Sequence, residues 1–301
     1  MENNYHVPVL LQECIEGLNI KPGGVYVDVT FGGGGHSREI LKKLDKDGVL
    51  IAFDQDPDAQ RNVLDDPRFK FVDQNFGFLR NNLRLLGYQQ VDGILADLGV
   101  SSHQFNEPGR GFSTRFDAHL DMRMDQQREL TAAGVLNTYP EDQLHKIFGI
   151  YGEVKNAKSL ARTIVTARLE NPIATLAEFK HVIASHIPKG KENKYMAQVF
   201  QALRMEVNAE IAVLESFLEQ SAMVLNQGGR LVVISYHSLE DRPVKNFIAK
   251  GRFRGEVEKD FFGNEQKPLR AITRKAIVAS DLELKANSRA RSAKLRIAEK
   301  I

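Results

Sequence analysis

Short apolar segments rich in β-branched residues alternate with segments of helical periodicity through the first hundred residues of the chain. The apolar segments lie at residues 25–29, 49–53, 69–72 and 91–95. Strands that are apolar on both faces and separated by helices belong to parallel sheets covered on both sides. The pattern therefore predicts an α/β domain with a doubly wound sheet.

The alternation stops near residue 104 and resumes near residue 205. Residues 103–125 are rich in Gly, Asp, Arg and Pro and predict a long loop. After this loop, apolar residues repeat at helical spacing only. We therefore predict a discontinuous α/β domain of residues 1–104 and 205–301, with an all-α domain of residues 105–204 inserted after the fourth strand.

One long helix is predicted where the α/β pattern resumes. Apolar residues repeat at helical spacing over residues 203–225, and Gly228-Gly229 is expected to end this helix. A fifth buried strand follows at residues 231–234. Two weaker strand patterns, at residues 271–278 and 294–298, are the last ones in the chain.

Composition excludes several classes of protein. Of the 301 residues, 42% are hydrophobic and 27% are charged, which excludes intrinsic disorder for most of the chain. Cys14 is the only cysteine, so neither an intramolecular disulfide nor a cysteine-built metal cluster is expected, and the scattered histidines predict no metal site. The sequence has no apolar run of membrane-spanning length and no signal-peptide pattern. We therefore expect a cytoplasmic protein without a membrane partner.

Charge is distributed unevenly along the chain. The formal net charge is only +2, but residues 241–301 contain 16 Lys/Arg and 8 Asp/Glu. Residues 153–204 are also basic, with 9 Lys/Arg and 4 Asp/Glu. This asymmetry indicates an anionic partner, and a solvated basic surface without a partner is the alternative.

Glycine and acidic residues stand where the predicted strands end. Gly32–Gly35 follow the first strand, Asp54 ends the second, and Asp97 follows the fourth. Ligands of open α/β sheets bind at these strand ends, where glycine lets the backbone approach closely and an acidic residue accepts hydrogen bonds from a ribose diol. Glycine runs also occur in linkers, but the strand–loop–helix context favours a cofactor that contains adenosine.

The nicotinamide motif G-x-G-x-x-G fails, because Ser37 and Arg38 stand where its third glycine is needed, and no phosphate-binding loop is present. S-adenosylmethionine remains, and Asp97 is well placed for its cationic amino-acid part. Asp28 is either a second acidic contact or a carboxylate that holds the glycine loop. Phe76 either stacks on adenine or packs in the core.

Several motifs in fixed order resemble the bacterial ribosomal RNA small subunit methyltransferase H family over essentially the whole chain. The motifs are HVPVLL at 6–11, DVTFGGGGHS at 28–37, DLGVSS at 97–102, RGFS at 110–113, LDMRMD at 120–125, SYHSLED at 235–241 and NSRARS at 287–292. The family usually has proline where this chain has His103.

The resemblance implies a class I, Rossmann-like methyltransferase. It implies transfer of a methyl group from S-adenosylmethionine to the exocyclic N4 of a cytidine in the decoding region of 16S rRNA, on the small ribosomal subunit. The cofactor contacts that it implies are Gly34, Gly35, His36, Asp54, Phe76, Asp97 and Gln104.

The residues themselves disfavour methylation of pyrimidine C5 and are compatible with methylation of a nitrogen, which needs no covalent intermediate. Methylation of pyrimidine C5 commonly needs a cysteine nucleophile, and Cys14 is far in sequence from every strand-end motif.

The acceptor for the amine is open: we favour Asp97 or a nearby backbone carbonyl. We expect four further residues to line the base pocket: Ser101, Ser102, His237 and Ser238. A structural role is the alternative for His237. Three charged residues either close the pocket or hold the insertion together: Asp121, Arg123 and Asp125.

RNA binding is expected to use the basic C-terminal region. The candidate phosphate contacts are Arg289, Arg291, Lys294 and Arg296. Phe253, Phe261 and Phe262 either stack on unpaired bases or pack under a loop. A cleft between the two predicted domains is the expected RNA channel.

Other functions remain open from the residues alone. The enzyme alternatives are methylation of adenine N6 and methylation of a protein side chain. The non-enzyme alternative is an RNA-binding module with a vestigial glycine loop. The long predicted helix and the insertion offer a surface for a homodimer.

Overall fold

The computed structural model describes residues 8–99, 107–115 and 117–301. The chain forms two compact units, one of Met1–Gly99 with Ile211–Ile301 and one of Val100–Glu210. The predicted boundaries, after residues 104 and 204, lie a few residues away from each change of unit.

Nine strands are described. They are β1 Val25–Asp28, β2 Val49–Asp54, β3 Phe69–Asp73, β4 Val91–Asp97, β5 Leu225–Ser235, β6 Glu258–Lys259, β7 Glu265–Gln266, β8 Leu269–Ala271 and β9 Lys294–Lys300.

Eleven α-helices are described in the same ranges. They are α1 Leu11–Leu18, α2 Gly35–Lys43, α3 Leu79–Leu85, α4 Ala132–Thr138, α5 Glu141–Ile150, α6 Ala157–Ala167, α7 Leu176–Ile183, α8 Glu192–Val207, α9 Glu210–Val224, α10 Ser238–Lys250 and α11 Asp281–Ala286.

The first unit is built on a sheet of seven strands in the order β3-β2-β1-β4-β5-β9-β8. The five strands from β3 to β5 are parallel, and β9 is antiparallel to both of its neighbours. The predicted doubly wound sheet is therefore confirmed. The strand order reverses between β1 and β4, and such a reversal opens a crevice beyond the carboxyl ends of the strands.

Both faces of this sheet are buried, which explains why its strands are continuously apolar. On β5, Leu231 and Val233 pack in the cluster that includes Phe217 of α9. Val232 and Ile234, which alternate with them, pack in the cluster that includes Cys14 of α1. The period of two along the strand thus distributes its side chains between two helical layers.

The second unit has its own apolar core, formed by helices α4 to α8 and by the loop that precedes them. Helix α7 begins with a capping box, in which the Thr175 hydroxyl and the Glu178 carboxylate bind each other's backbone N–H. In its described residues, β-structure is limited to a single bridge between His119 and Thr175.

The prediction of one helix over residues 203–225 is wrong. The chain leaves α8 at Val207 and begins α9 at Glu210, because Ala209 adopts a positive φ of 51°. The side chain of Asn208 stabilises the break: its Oδ1 accepts from the Met124 N–H at 2.8 Å, and its Nδ2 donates to the Met122 carbonyl at 2.8 Å.

Two further expectations need correction. Gly228 and Gly229 do not end a helix but lie within β5, where the register with β4 shifts between Val91 and Gly93. The predicted strand at 271–278 is reduced to Leu269–Ala271 and an isolated bridge between Ile277 and Leu295.

Candidate functional site

The glycine loop connects β1 to α2 at the reversal of strand order. Gly34 has a φ of +72°, and a Cβ atom there would lie 2.8 Å from the ring of Phe31. A Cβ on Gly35 would lie 2.3 Å from Cγ of Pro8. Larger residues therefore cannot replace these glycines without displacing the loop, and the nine-residue helix α2 begins directly behind it. A helix N-terminus of this kind favours polar or anionic ligand groups.

Asp54 ends β2 beside this loop. Its Oδ2 accepts a hydrogen bond from the Gly32 N–H at 2.8 Å, and its Oδ1 accepts one from the Asp56 N–H at 2.9 Å. Burial raises the pKa of the Asp54 carboxyl to about 6, although both hydrogen bonds oppose this shift. Each carboxylate oxygen can accept a second hydrogen bond. Asp54 thus fixes the loop and still offers acceptors to a ribose diol.

Phe76 follows β3 and starts a short 3-10 turn, Phe76–Phe78. Its half-buried ring packs edge-on against Phe217, with ring centres 5.3 Å apart. The side chain of Asn75 accepts from the Gly77 N–H at 2.7 Å and holds the turn. The ring therefore packs against the core and keeps an exposed part that an adenine could cover.

Asp97 ends β4 on the opposite side of the reversal. The Tyr236 hydroxyl donates to its Oδ1 at 2.7 Å, and Nδ1 of His36 lies 3.9 Å from its Oδ2. Burial raises the pKa of the Asp97 carboxyl, and the His36 and Tyr236 contacts oppose this shift. Among the described residues, Oδ2 accepts no hydrogen bond.

Tyr236 is a residue of the site that the sequence did not reveal, although it stands within one of the quoted motifs. Burial and the neighbouring Asp97 carboxylate raise the pKa of the Tyr236 phenol, so its hydroxyl remains a donor. Its partner Asp97 lies 139 residues earlier in the chain. A tyrosine that follows a predicted strand end was the only signal in the sequence.

The His36 side chain is buried and does not face outward. Its Nε2 lies 3.1 Å from the Val9 carbonyl oxygen. Because a carbonyl only accepts, Nε2 carries the proton, and Nδ1 is the atom that faces Asp97. A cofactor contact at this position would therefore use the His36 backbone at the start of α2.

Asp28 joins the two ends of the glycine loop. Its Oδ2 accepts from the Ser37 hydroxyl at 2.6 Å, and its Oδ1 accepts from the Thr30 N–H at 3.1 Å. The carboxylate is fully buried, and burial raises its pKa. These contacts are those expected of a carboxylate that holds the glycine loop, the structural one of the two roles predicted for Asp28.

His237 and Ser238 follow β5 at the start of α10. Nε2 of His237 lies 2.9 Å from Oε1 of Glu240. Despite this short distance, neither ring nitrogen of His237 forms a hydrogen bond with the described residues. The other Glu240 oxygen accepts from the Tyr236 N–H at 2.9 Å. Ser238 is exposed. Ser101, Ser102 and Gln104 lie outside the described residues.

Cys14 is buried in α1. Burial raises the pKa of its thiol well above its ordinary value, and the charges of Asp97 and Asp28 raise it further. The thiol is therefore close enough to the strand-end carboxylates to be influenced by them, despite its separation in sequence. It stays protonated, and a protonated thiol is a poor nucleophile.

The four candidate phosphate contacts differ in their surroundings. Arg289 and Arg291 are exposed on the 3-10 turn Ser288–Ser292. Arg296 lies on β9, where its Nε and Nη2 donate to Asp241 at 2.7 and 3.1 Å. Lys294 Nζ lies 3.7 Å from the same carboxylate. The charge of Arg296 is thus paired within the protein.

The acidic and basic residues at 121–125 hold the second unit together. Arg123 donates to both carboxylate oxygens of Asp121 at 2.8 Å, and its Nη1 reaches the Arg128 carbonyl at 2.6 Å. The buried Arg110 donates to the carbonyls of Arg123 and Met124. These contacts agree with the structural alternative for Asp121 and Arg123.

The sheet order, the glycine loop after β1 and the carboxylates that end β2 and β4 define a class I methyltransferase. The methyl donor of such an enzyme is S-adenosylmethionine, and the glycine cradle and the Asp54 acceptors fit it. The chain belongs to the MraW methylase family, whose model matches residues 3–301. The expected resemblance is therefore confirmed.

Two relatives illustrate this similarity. "Ribosomal RNA small subunit methyltransferase H" of Flavobacterium johnsoniae is 59% identical over 297 residues, which cover 99% of this chain and 98% of the relative. The protein of the same name from Cytophaga hutchinsonii is 57% identical, and the match covers 98% of this chain and 99% of the relative.

Among the described residues, no helix is both long and apolar enough to cross a membrane.

Proposed function

We propose that this methyltransferase acts on small-subunit ribosomal RNA, at the exocyclic N4 of a cytidine in the decoding region of 16S rRNA. The names of the relatives support the RNA class. The observation that carries the chemistry is the Asp97 carboxylate, whose Oδ1 is bound by Tyr236 while no described residue donates to its Oδ2. An acceptor of this kind suits an amine with two N–H bonds.

The cofactor would be held at the reversal of strand order. Backbone groups of Gly34, Gly35 and His36 would surround it, Asp54 would accept from its ribose, and Phe76 would cover its adenine. Asp97 and Gln104 are the further proposed contacts. When bound, S-adenosylmethionine supplies a methyl group activated by a sulfonium.

Asp97 then acts on the target amine. Its Oδ2 accepts one N–H of the cytosine amine, which orients the nitrogen and makes its lone pair more available. As the new N–C bond formed, the S–CH3 bond of the donor would break and S-adenosylhomocysteine would leave, while the amine would lose one proton to this carboxylate or to solvent. A nearby backbone carbonyl is the alternative acceptor. Ser101, Ser102, His237 and Ser238 remain the proposed lining of the base pocket.

The state of Cys14 supports nitrogen as the target over carbon. Methylation of C5 commonly requires a thiolate that attacks C6. The only thiol in the chain is buried, and its pKa is raised. The protein thus has no cysteine thiolate to offer for that route.

RNA would bind through exposed cations. Arg289 and Arg291 are the proposed phosphate contacts of the first unit, with Lys294 and Arg296 beside them. The second unit would contribute through its own basic residues. Location in the cytoplasm, a homodimer and the absence of a metal requirement stay predictions.

A methyl-transfer assay tests the proposed function. Labelled S-adenosylmethionine is offered with small ribosomal subunits that lack the modification, with their naked rRNA and with total protein, and the RNA is digested to nucleosides. We expect label in N4-methylcytidine from subunits or rRNA. Label in adenosine or in protein, or no label at all, would contradict the proposal.

A further inference from the structure

The hairpin formed by β6 and β7 carries the most exposed aromatic side chains in the described part of the chain. Phe261 is 98% exposed and Phe262 is 85% exposed, and both lie in the loop at residues 260–264. Contiguous exposed apolar surface often marks an interaction site. These two adjacent rings are therefore a candidate contact surface.

The loop that carries the rings has a defined shape. Oδ1 of Asp260 accepts from the Phe262 and Asn264 N–H groups at 2.9 and 2.8 Å, and its Oδ2 accepts from the Asn264 side chain at 2.9 Å. These hydrogen bonds, that of the Asn264 side chain first, lower the pKa of Asp260. Gly263 supplies the positive φ of 86° that the turn needs. A carboxylate-centred turn thus presents both rings in fixed positions.

The base of the hairpin is attached to the core of the first unit. Phe253, which precedes β6, stacks on Phe247 of α10 with ring centres 5.2 Å apart and an angle of 19° between the rings. The Asn246 side chain donates to the Phe253 carbonyl at 2.9 Å. Of the three phenylalanines considered for base stacking, Phe253 therefore supports the hairpin, whereas Phe261 and Phe262 face solvent.

We propose that Phe261 and Phe262 form a stacking platform for unpaired bases of the RNA substrate, an inference that rests on the proposed function. Their rings are 5.7 Å apart and at 87° to each other, so their faces point in different directions. A base can cover one ring without displacing the other. Proteins commonly hold unpaired RNA bases on aromatic rings of this kind.

The surroundings of the rings favour RNA over a protein partner. The neighbouring residues of both strands are charged or polar: Glu258, Lys259, Glu265 and Gln266. Two aromatic side chains supply about 150–250 Å² each. A stable protein interface buries about 800 Å² per partner, and charged residues such as those around the rings are depleted from the centre of such interfaces.

One cation near the hairpin in sequence is available to a phosphate. The charges of this region nearly balance, because residues 250–267 contain five Lys/Arg and four Asp/Glu. Arg254, between Phe253 and the hairpin, is exposed and forms no ion pair with the described residues. An exposed cation that precedes a pair of open rings suits a polymer that presents phosphates and bases together.

Binding of a fluorescein-labelled single-stranded RNA, and of a duplex of the same length, tests the platform by fluorescence anisotropy. The variants are F261A/F262A and F261L/F262L, and the matched control is L85A, which removes an exposed apolar side chain from α3. Both double variants are expected to lose about tenfold or more in affinity for the single strand. Their affinity for the duplex, and that of L85A for both RNAs, should stay at the wild-type level.

Three results would overturn the inference. The first is wild-type affinity of the alanine pair for the single strand. The second is full retention of affinity by the leucine pair, because leucine keeps the apolar surface but has no ring. The third is self-association of the wild-type protein in sedimentation velocity that is absent only from the alanine pair. This result would assign the rings to a second copy of the chain.

The two proposals can fail separately. The methylation assay with wild-type protein decides the substrate of the enzyme, whereas the anisotropy experiment compares two forms of RNA and needs no turnover. If rRNA is methylated but the double variants bind like the wild type, only the platform is wrong. If no RNA is methylated but the single-strand preference depends on the rings, only the proposed substrate is wrong.

Discussion

Three carboxylates lie near the reversal of strand order, and their partners separate their roles. Burial raises the pKa of Asp28, Asp54 and Asp97 alike. Asp28 is bound by a hydroxyl and a backbone N–H, and Asp54 by two backbone N–H groups. Among the described residues, only the Tyr236 hydroxyl donates a hydrogen bond to the Asp97 carboxylate. Asp97 is thus the best placed of the three to receive a hydrogen from a substrate.

The Tyr236 hydroxyl is expected to position Asp97 for this role. In Y236F the hydrogen bond is lost, so one carboxylate oxygen is no longer held and the pKa of Asp97 rises further. We expect kcat to fall about tenfold, as for the loss of one hydrogen bond. The acidic limb of the pH–rate profile should move to higher pH.

Y88F serves as the matched control, because Tyr88 is half-buried and its ring faces Lys70 at 4.9 Å, outside the proposed site. Its kcat and pH profile should equal those of the wild type. A Y236F enzyme with an unshifted pH profile would show that the tyrosine does not act through Asp97.

Cofactor affinity should depend on pH through Asp54. Its raised pKa of about 6 means that the carboxylate is largely protonated at pH 5 and largely ionised at pH 7. An ionised carboxylate accepts hydrogen bonds better, so affinity should increase as pH rises through this window. We expect S-adenosylhomocysteine to bind about tenfold more weakly at pH 5 than at pH 7, measured by calorimetry.

The variant D54N provides the comparison for this experiment. It keeps the shape of the side chain but has no titrating group, so its affinity should be low and nearly independent of pH. If D54N retains the pH dependence of the wild type, another group is responsible for it.

At the residue scale, the sequence could predict positions better than contacts. Asp54 and Asp97 were found because they stand at the ends of apolar segments, and strand ends meet at one edge of a parallel sheet. The role of Asp28 in closing the loop, and that of Tyr236, depend on hydrogen bonds formed only after folding. A single sequence gives no sign of a partner 139 residues away.

Among the elements, the strands were predicted more accurately than the helix before β5. The buried strands have continuous apolar patterns, and β1 to β4 lie within two residues of the predicted segments. Residues 203–225 also have a continuous helical pattern, yet the structure interrupts it at Asn208 and Ala209. The interruption depends on hydrogen bonds from Asn208 to the 122–124 backbone, a long-range effect that periodicity does not contain.

The contact between β9 and α10 is expected to stabilise the fold. Burial alone would raise the pKa of Asp241, but the hydrogen bonds and charge of Arg296 lower it below its ordinary value. The variant R296A leaves this buried carboxylate without its main partner. We expect the free energy of unfolding to fall by about 3 kcal/mol, measured by urea denaturation at pH 7.

R291A is the control, since Arg291 is exposed and forms no ion pair with the described residues; its free energy of unfolding should not change. Because the folded pKa of Asp241 is lowered, the stabilisation is present above the unfolded pKa near 4 and is lost as pH falls below it. Equal stability of R296A and the wild type at pH 7 would show that the pair contributes nothing.

For the whole molecule, the count of charges overstates the cations available to RNA. Arg296 and Lys294 share Asp241, and Arg230 and Arg270 both contact Glu299. The exposed Arg291, which forms no ion pair with the described residues, remains as the clearer candidate for a phosphate contact. A basic sequence segment therefore predicts the class of partner, whereas only the fold distinguishes paired from exposed cations.

The double variant R289A/R291A tests the proposed phosphate contacts. It should bind rRNA more weakly, and the slope of log affinity against log salt should decrease by about 1 to 2, because each phosphate contact releases counterions. Filter binding over a series of KCl concentrations measures both quantities, and calorimetry should show unchanged binding of S-adenosylhomocysteine. A wild-type salt slope would remove these arginines from the RNA interface.

The place of β9 in the sheet has a consequence for synthesis of the protein. This strand lies between β5 and β8 and pairs with β5 from Arg230 to Ser235, just before Tyr236. A nascent chain that has not yet emerged past residue 300 leaves that edge of β5 without its neighbour, and an open strand edge invites pairing with other chains. A chain truncated before β9 would therefore expose this edge of β5 and be prone to aggregation.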